Sequence, residues 1–90
     1  MFTGLIQSIG TIAAIDKNGD WVVTIKTALP LEKVTIGASI ACSGICLTVI
    51  EKKSNQFNVQ LSMETLSKTT AIHWRIGHRI NLEPALKVGD

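Results

Sequence analysis

Aromatic side chains are scarce in this chain: Phe2, Trp21, Phe57 and Trp74 are all it has, and tyrosine is absent. Charge of one sign is equally lacking, since 9 basic residues against 7 acidic ones leave a net charge of only +2. The lysines and arginines are scattered along the sequence and form no band. A nucleic-acid binder needs a basic stripe, commonly with stacking aromatics, so that class is excluded. No apolar run approaches the length required to span a bilayer. The start, Met1-Phe2-Thr3-Gly4, lacks the charged and then hydrophobic layout of a secretory leader, which implies no export. Cysteine is limited to Cys42 and Cys46. A disulfide between them would close a trivial loop, so two reduced thiols in a cytoplasmic protein is the better reading.

What is present is a folding composition. Ninety residues, 46% hydrophobic and 18% charged, suit one domain (residues 1–90) with one modest core. Leu5 to Asp16 is mostly aliphatic and small, and it ends at Lys17-Asn18-Gly19-Asp20. Asn-Gly between apolar stretches predicts a hairpin. Trp21 to Thr27 reads as its second strand, with Trp21, Val23 and Ile25 on one face. Ala28-Leu29-Pro30 breaks that strand. Leu31 to Ile36 is ambiguous, and a strand follows from Gly37 through Cys42.

The run Ser43 to Val49 is the most informative. Ser43-Gly44 is turn chemistry, after which Ile45, Leu47 and Val49 alternate with Cys46 and Thr48. A period of two sends the aliphatics to the core and lines up the thiol and the hydroxyl outside. Cys42 is placed on the phase opposite Ile40 and read as packing. Lys52 to Gln56 reads as a polar break, and Phe57 to Leu61 as a strand with Phe57, Val59 and Leu61 inward. Ser62 is a good N-cap for a short helix, Met63 to Lys68, with Glu64 in its first turn. Arg79 to Glu83 forms a last strand, ended by Pro84.

Six short strands with one or two short helices indicate an all-β antiparallel barrel or sandwich. A closed barrel is favoured because closure removes edges. Side chains fill a barrel this small, so any ligand sits outside or between two barrels. Cys42 and Cys46 with His73 and His78 suggest zinc only superficially, because the spacing is wrong, and no metal is expected. His73 and His78 are read as surface residues, and Trp21 and Trp74 as packing.

Three segments, Met1-Phe2-Thr3-Gly4-Leu5-Ile6, Ser43 to Val49 and Met63-Glu64-Thr65-Leu66, resemble the N-terminal half of the riboflavin synthases in order and spacing. Gly37-Ala38-Ser39 and the ending Ile76 to Glu83 fit the same pattern. The resemblance implies a six-stranded Greek-key barrel that binds 6,7-dimethyl-8-ribityllumazine or riboflavin. Two such barrels form the parent transferase of riboflavin biosynthesis, a homotrimer. It converts two lumazines into riboflavin and 5-amino-6-ribitylaminouracil without metal or cofactor.

Carried onto this chain, the resemblance implies that Cys46, Leu47 and Thr48 touch the ring. Gln60, Leu61, Ser62, Met63, Glu64 and Thr65 hold the pyrimidine edge and ribityl chain, and Gly4, Leu5 and Ile6 reach across from a partner barrel. Ser39 and Cys46 are the half-site's catalytic candidates. Free N–H groups at the start of the Met63 helix suit carbonyl oxygens, and an ionised Glu64 suits hydroxyls. A thiol serving as nucleophile would need a lowered pKa.

Ser43 stands where the family usually has asparagine. The sequence stops at Asp90, before the family's histidine-containing linker and second barrel. The expectation is an excised domain, homodimeric, that binds ligand but catalyses weakly or not at all. The alternatives are a non-catalytic lumazine or flavin binder on the same barrel, and a generic small-barrel interaction module.

Overall fold

The Asn18-Gly19 signal closes the first hairpin in the computed structural model, which describes residues 8–28, 31 and 34–84. β1 (Ser8–Asp16) and β2 (Trp21–Thr27) run antiparallel, and Asp16 lies opposite Val22. The Asp16 carboxylate accepts the Asn18 N–H at 3.0 Å, and Gly19 takes a φ of +74°, a left-handed conformation that glycine adopts without steric cost. The register of β1 shifts between Ile12 and Ala14, a bulge that bends the strand around the barrel.

β3 (Ser39–Cys42) and β4 (Ile45–Lys53) are joined by the two-residue turn Ser43-Gly44. Both turn residues have positive φ, +50° and +83°, the signature of the type I′ turn that matches strand twist. β5 (Gln56–Leu61) returns along β4, and β6 (Arg79–Pro84) pairs with both β1 and β3. The strand order β1-β2-β5-β4-β3-β6 closes on itself. The β3-β4-β5 meander with β6 back beside β3 is a Greek key.

The alternation expected in β2 and β5 is present. Trp21, Val23 and Ile25 point inward with Phe57, Val59 and Leu61, while Gln60 is exposed. Ile40 and Cys42 are both fully buried, so they share the interior phase and do not lie on opposite ones. Residues two apart on a strand must do so.

The polar break at Lys52 to Gln56 is much shorter than its composition implies. β4 continues to Lys53, β5 starts at Gln56, and only Ser54-Asn55 turns. A register shift between Val49 and Glu51 puts Lys52 opposite the buried Phe57. From there its ammonium donates to the carbonyls of Leu31, at 2.9 Å, and Val34, both buried residues. A lysine stem thereby covers apolar surface at one barrel end while its charge satisfies loop carbonyls.

From the Leu61 end of β5 the chain enters α1 (Met63–Lys68) and then a single 3₁₀ turn, Thr70–His73. Leu66, Ala71 and Trp74 join the core from this segment, while His73 and His78 are exposed. Among the described residues no helix is long and apolar enough to cross a membrane.

Candidate functional site

β4 carries its two faces as the alternation requires. Leu47 and Val49 are buried, Ile45 is half-buried against the core, and Cys46 and Thr48 are exposed. Pairing with β3 sets Ser39 directly across from Thr48 and Ala41 across from Cys46. Ser39 and Thr48 therefore share the outer face at cross-strand neighbour distance.

β4 and β5 pair from Lys53 and Gln56 up to Val49 and Val59. Beyond that point a groove of about 450 Å³ opens on the outer wall, lined by Asp20, Cys46, Leu47, Thr48, Ile50, Gln60, Ser62 and Thr65. Six residues singled out in the sequence meet there: Cys46, Leu47, Thr48, Gln60, Ser62 and Thr65. Ser39 lies next to it through Thr48. Leu61 has its side chain fully buried in the barrel. Met63 is 61% exposed and, like Glu64, is not part of the lining. Glu64 accepts a hydrogen bond from Lys68 at 2.9 Å on the solvent face of α1. Gly4, Leu5 and Ile6 lie outside the described residues.

Local bonds hold the groove's polar end. The Ser62 hydroxyl caps α1 by accepting the Thr65 N–H at 3.1 Å, and the two hydroxyls are also 3.1 Å apart. The Leu66 N–H goes to the Ser62 carbonyl at 3.0 Å. Of the helix-start N–H groups, that of Thr65 is thus taken up by the cap, while the Leu66 N–H makes the first intrahelical bond. The Gln60 amide donates to the Asp20 carboxylate at 3.4 Å.

The sequence reading missed Asp20 and Ile50. The inward phase of Trp21 implies that Asp20 points outward, but its position beside Ser62 depends on the pairing of Trp21 with Leu61. That register is a tertiary fact. Ile50 sits at the β4 irregularity, which nothing in the composition marks.

The sequence profile described as "Lumazine binding domain" matches residues 3–85. The chain belongs to the lumazine-binding domain family. It is 44% identical over 88 residues to the riboflavin synthase of Photobacterium phosphoreum, covering 96% of this chain and 40% of that protein. It is 46% identical over 96 residues to that of Brucella abortus (strain 2308), covering 100% of this chain and 48% of that protein. It is 44% identical over 87 residues to that of Bacillus subtilis (strain 168), covering 96% and 40%. This lumazine-binding domain thus spans less than half the length of these curated relatives.

The two thiols of the lumazine-binding domain are chemically unequal. Cys42 is fully buried and Cys46 exposed. Burial, assisted by the neighbouring Cys46, pushes the Cys42 thiol from 9.0 up to about 12. The Cys42 S–H is directed at the Ile40 carbonyl, 3.8 Å away. Cys42 is a packing residue, and Cys46 is the thiol that a molecule in the groove can touch.

Proposed function

We propose that the groove binds 6,7-dimethyl-8-ribityllumazine and riboflavin, as one barrel of a riboflavin synthase. The observation that carries this reading is the groove itself, formed where Cys46, Leu47 and Thr48 meet Gln60, Ser62 and Thr65 in a chain of the lumazine-binding family. A flat ring needs apolar walls and a few fixed polar groups. Leu47, Ile50 and the Cys46 thiol supply the walls, and Thr48 can donate or accept at the ring edge. The ribityl hydroxyls run toward Gln60, Ser62 and Thr65, with Met63 and Glu64 reached only by a ligand extending past the groove. Gly4, Leu5 and Ile6 of a second barrel close the open side, in a homodimer of this domain or in the parent homotrimer. Ser39 and Cys46 flank the ring as the chemical groups of this half-site. The parent reaction moves a four-carbon unit between two lumazines and uses one barrel for each. Free thiols at both cysteines suit the reducing cytoplasm.

Titration of the 90-residue chain with riboflavin, followed by ligand fluorescence, tests the binding reading directly. Saturable quenching supports it; unchanged fluorescence at high protein concentration overturns it. Size measurement with and without ligand tests the partner contribution, because a persistent monomer that binds tightly contradicts a site completed by a second barrel.

A further inference from the structure

We infer that Asp20 is a specificity residue of the groove, accepting the hydroxyls of a bound ligand's polyol chain and disfavouring the same chain once phosphorylated. The inference rests on the flavin and lumazine reading above. Asp20 is the one formally charged side chain among the residues lining the groove. It is delivered there by the Asn18-Gly19 turn and the start of β2, so it approaches from a different element than every other lining residue.

Its neighbours define what it meets. The Gln60 amide donates to Oδ2 at 3.4 Å and steadies the carboxylate, and among the described residues Oδ1 has no hydrogen-bond partner. The Ser62 and Thr65 hydroxyls beside it are bonded to each other and to α1. Ser62 donates to Thr65, whose own hydroxyl can still donate, so the ionised Asp20 is the acceptor-only group lining this end of the groove, the complement of a hydroxyl donor. The ion pair found among the described residues joins Glu64 to Lys68, so it does not neutralise Asp20. The nearby Lys17 ammonium sits over the Trp21 ring, 4.6 Å from its centre. A phosphate ester, carrying about −1.5 to −2 charge at neutral pH, meets there a carboxylate that no ion pair among the described residues neutralises. Rejection through like charge is a specificity device distinct from affinity for the correct ligand.

Three ligands separate the terms: riboflavin, riboflavin 5′-phosphate, and lumiflavin, which carries a methyl group in place of the chain. Asp20→Ala should weaken riboflavin about five-fold and leave lumiflavin unchanged, the loss of one partly exposed charge-assisted hydrogen bond. The wild-type chain should prefer riboflavin over its 5′-phosphate about ten-fold at low salt, and less at high salt. Asp20→Asn keeps the hydrogen-bonding shape without the charge and should bring that preference close to unity. An unchanged preference in Asp20→Asn, or equal losses for riboflavin and lumiflavin in Asp20→Ala, overturns the role of Asp20 while leaving the flavin reading intact. Failure of the wild-type chain to bind either riboflavin or lumiflavin overturns both. An unchanged urea midpoint in each variant assigns the effects to the groove and not to the fold.

Discussion

Ser39 and Thr48 face each other directly across the β3–β4 pairing, two hydroxyl side chains on the outer wall of the barrel, while the adjacent pair Ile40 and Leu47 is buried inside. Thr48 lines the groove, and Ser39 stands one strand behind it. The type I′ turn at Ser43-Gly44 fixes this arrangement, because a slip of one residue in β4 would exchange the buried Leu47 and Val49 for Cys46 and Thr48.

Thr48→Val keeps the branched shape that a strand prefers and removes only the hydroxyl. Riboflavin affinity should fall by about 1 kcal/mol, the worth of one typical hydrogen bond. Ser39→Ala, acting from behind Thr48, should change affinity less. Fluorescence titration of both variants checks the order, and a larger loss from Ser39→Ala would reverse the assignment of the two hydroxyls.

Ser62 couples fold to site. Its hydroxyl caps α1 and contacts the Thr65 hydroxyl in the groove. Ser62→Ala should lower stability by about 1 kcal/mol, as loss of an N-cap does. It should also weaken riboflavin, since Thr65 loses its anchor. Ser62→Asp restores the cap and should recover the urea midpoint. Recovery of affinity is not expected, because a second carboxylate then stands beside Asp20.

Gly10 is a packing constraint on β1. A Cβ built there would lie 2.6 Å from Ile25 Cγ2 and 2.8 Å from Leu82 Cδ1, both in fully buried side chains. Gly10→Ala should therefore destabilise the barrel by about 1–3 kcal/mol, the usual cost of overpacking a filled core. Thermal unfolding measures it, and an unchanged melting temperature would mean that the core between β1, β2 and β6 has room to relax.

Much of this architecture was legible because period-two alternation and turn chemistry act locally. The Asn18-Gly19 and Ser43-Gly44 turns, the inward Val23 and Val59, and the Ser62 cap each depend on a few adjacent residues. Lys52 looks like loop because composition there is indistinguishable from a turn, while its inward placement comes from an irregularity in β4. Ile50 owes its place in the groove lining to the same irregularity. Asp20 enters the groove only through the register that brings Trp21 opposite Leu61, a non-local pairing. Leu61 lies in the core, as the alternation of β5 alone requires, whereas Glu64 on the solvent face of α1 is paired with Lys68 one turn on.

The two cysteines make a pH prediction whose sign follows from burial. In the unfolded chain Cys42 titrates near 9.0, whereas in the barrel its thiol is held up to about 12. Below pH 9 the thiol is protonated in both states, and its contribution to stability is fully present. Above pH 9 the unfolded chain releases a proton that the folded one retains, so stability falls as pH rises, by about 1.4 kcal/mol per unit at most. The loss ends once pH passes the folded value near 12. Urea unfolding at pH 8, 9, 10 and 11 should show this decline. Cys42→Ala should start less stable because of the cavity it leaves, but its decline should be shallower. Absence of tyrosine removes the other side chain that commonly titrates near pH 10, so the difference between the two slopes reports Cys42 against a lysine background common to both proteins. Parallel slopes would show that the buried thiol does not control alkaline stability. In the same samples at pH 8, iodoacetamide should label the exposed Cys46 and spare Cys42 until the barrel unfolds, and riboflavin should slow labelling of Cys46.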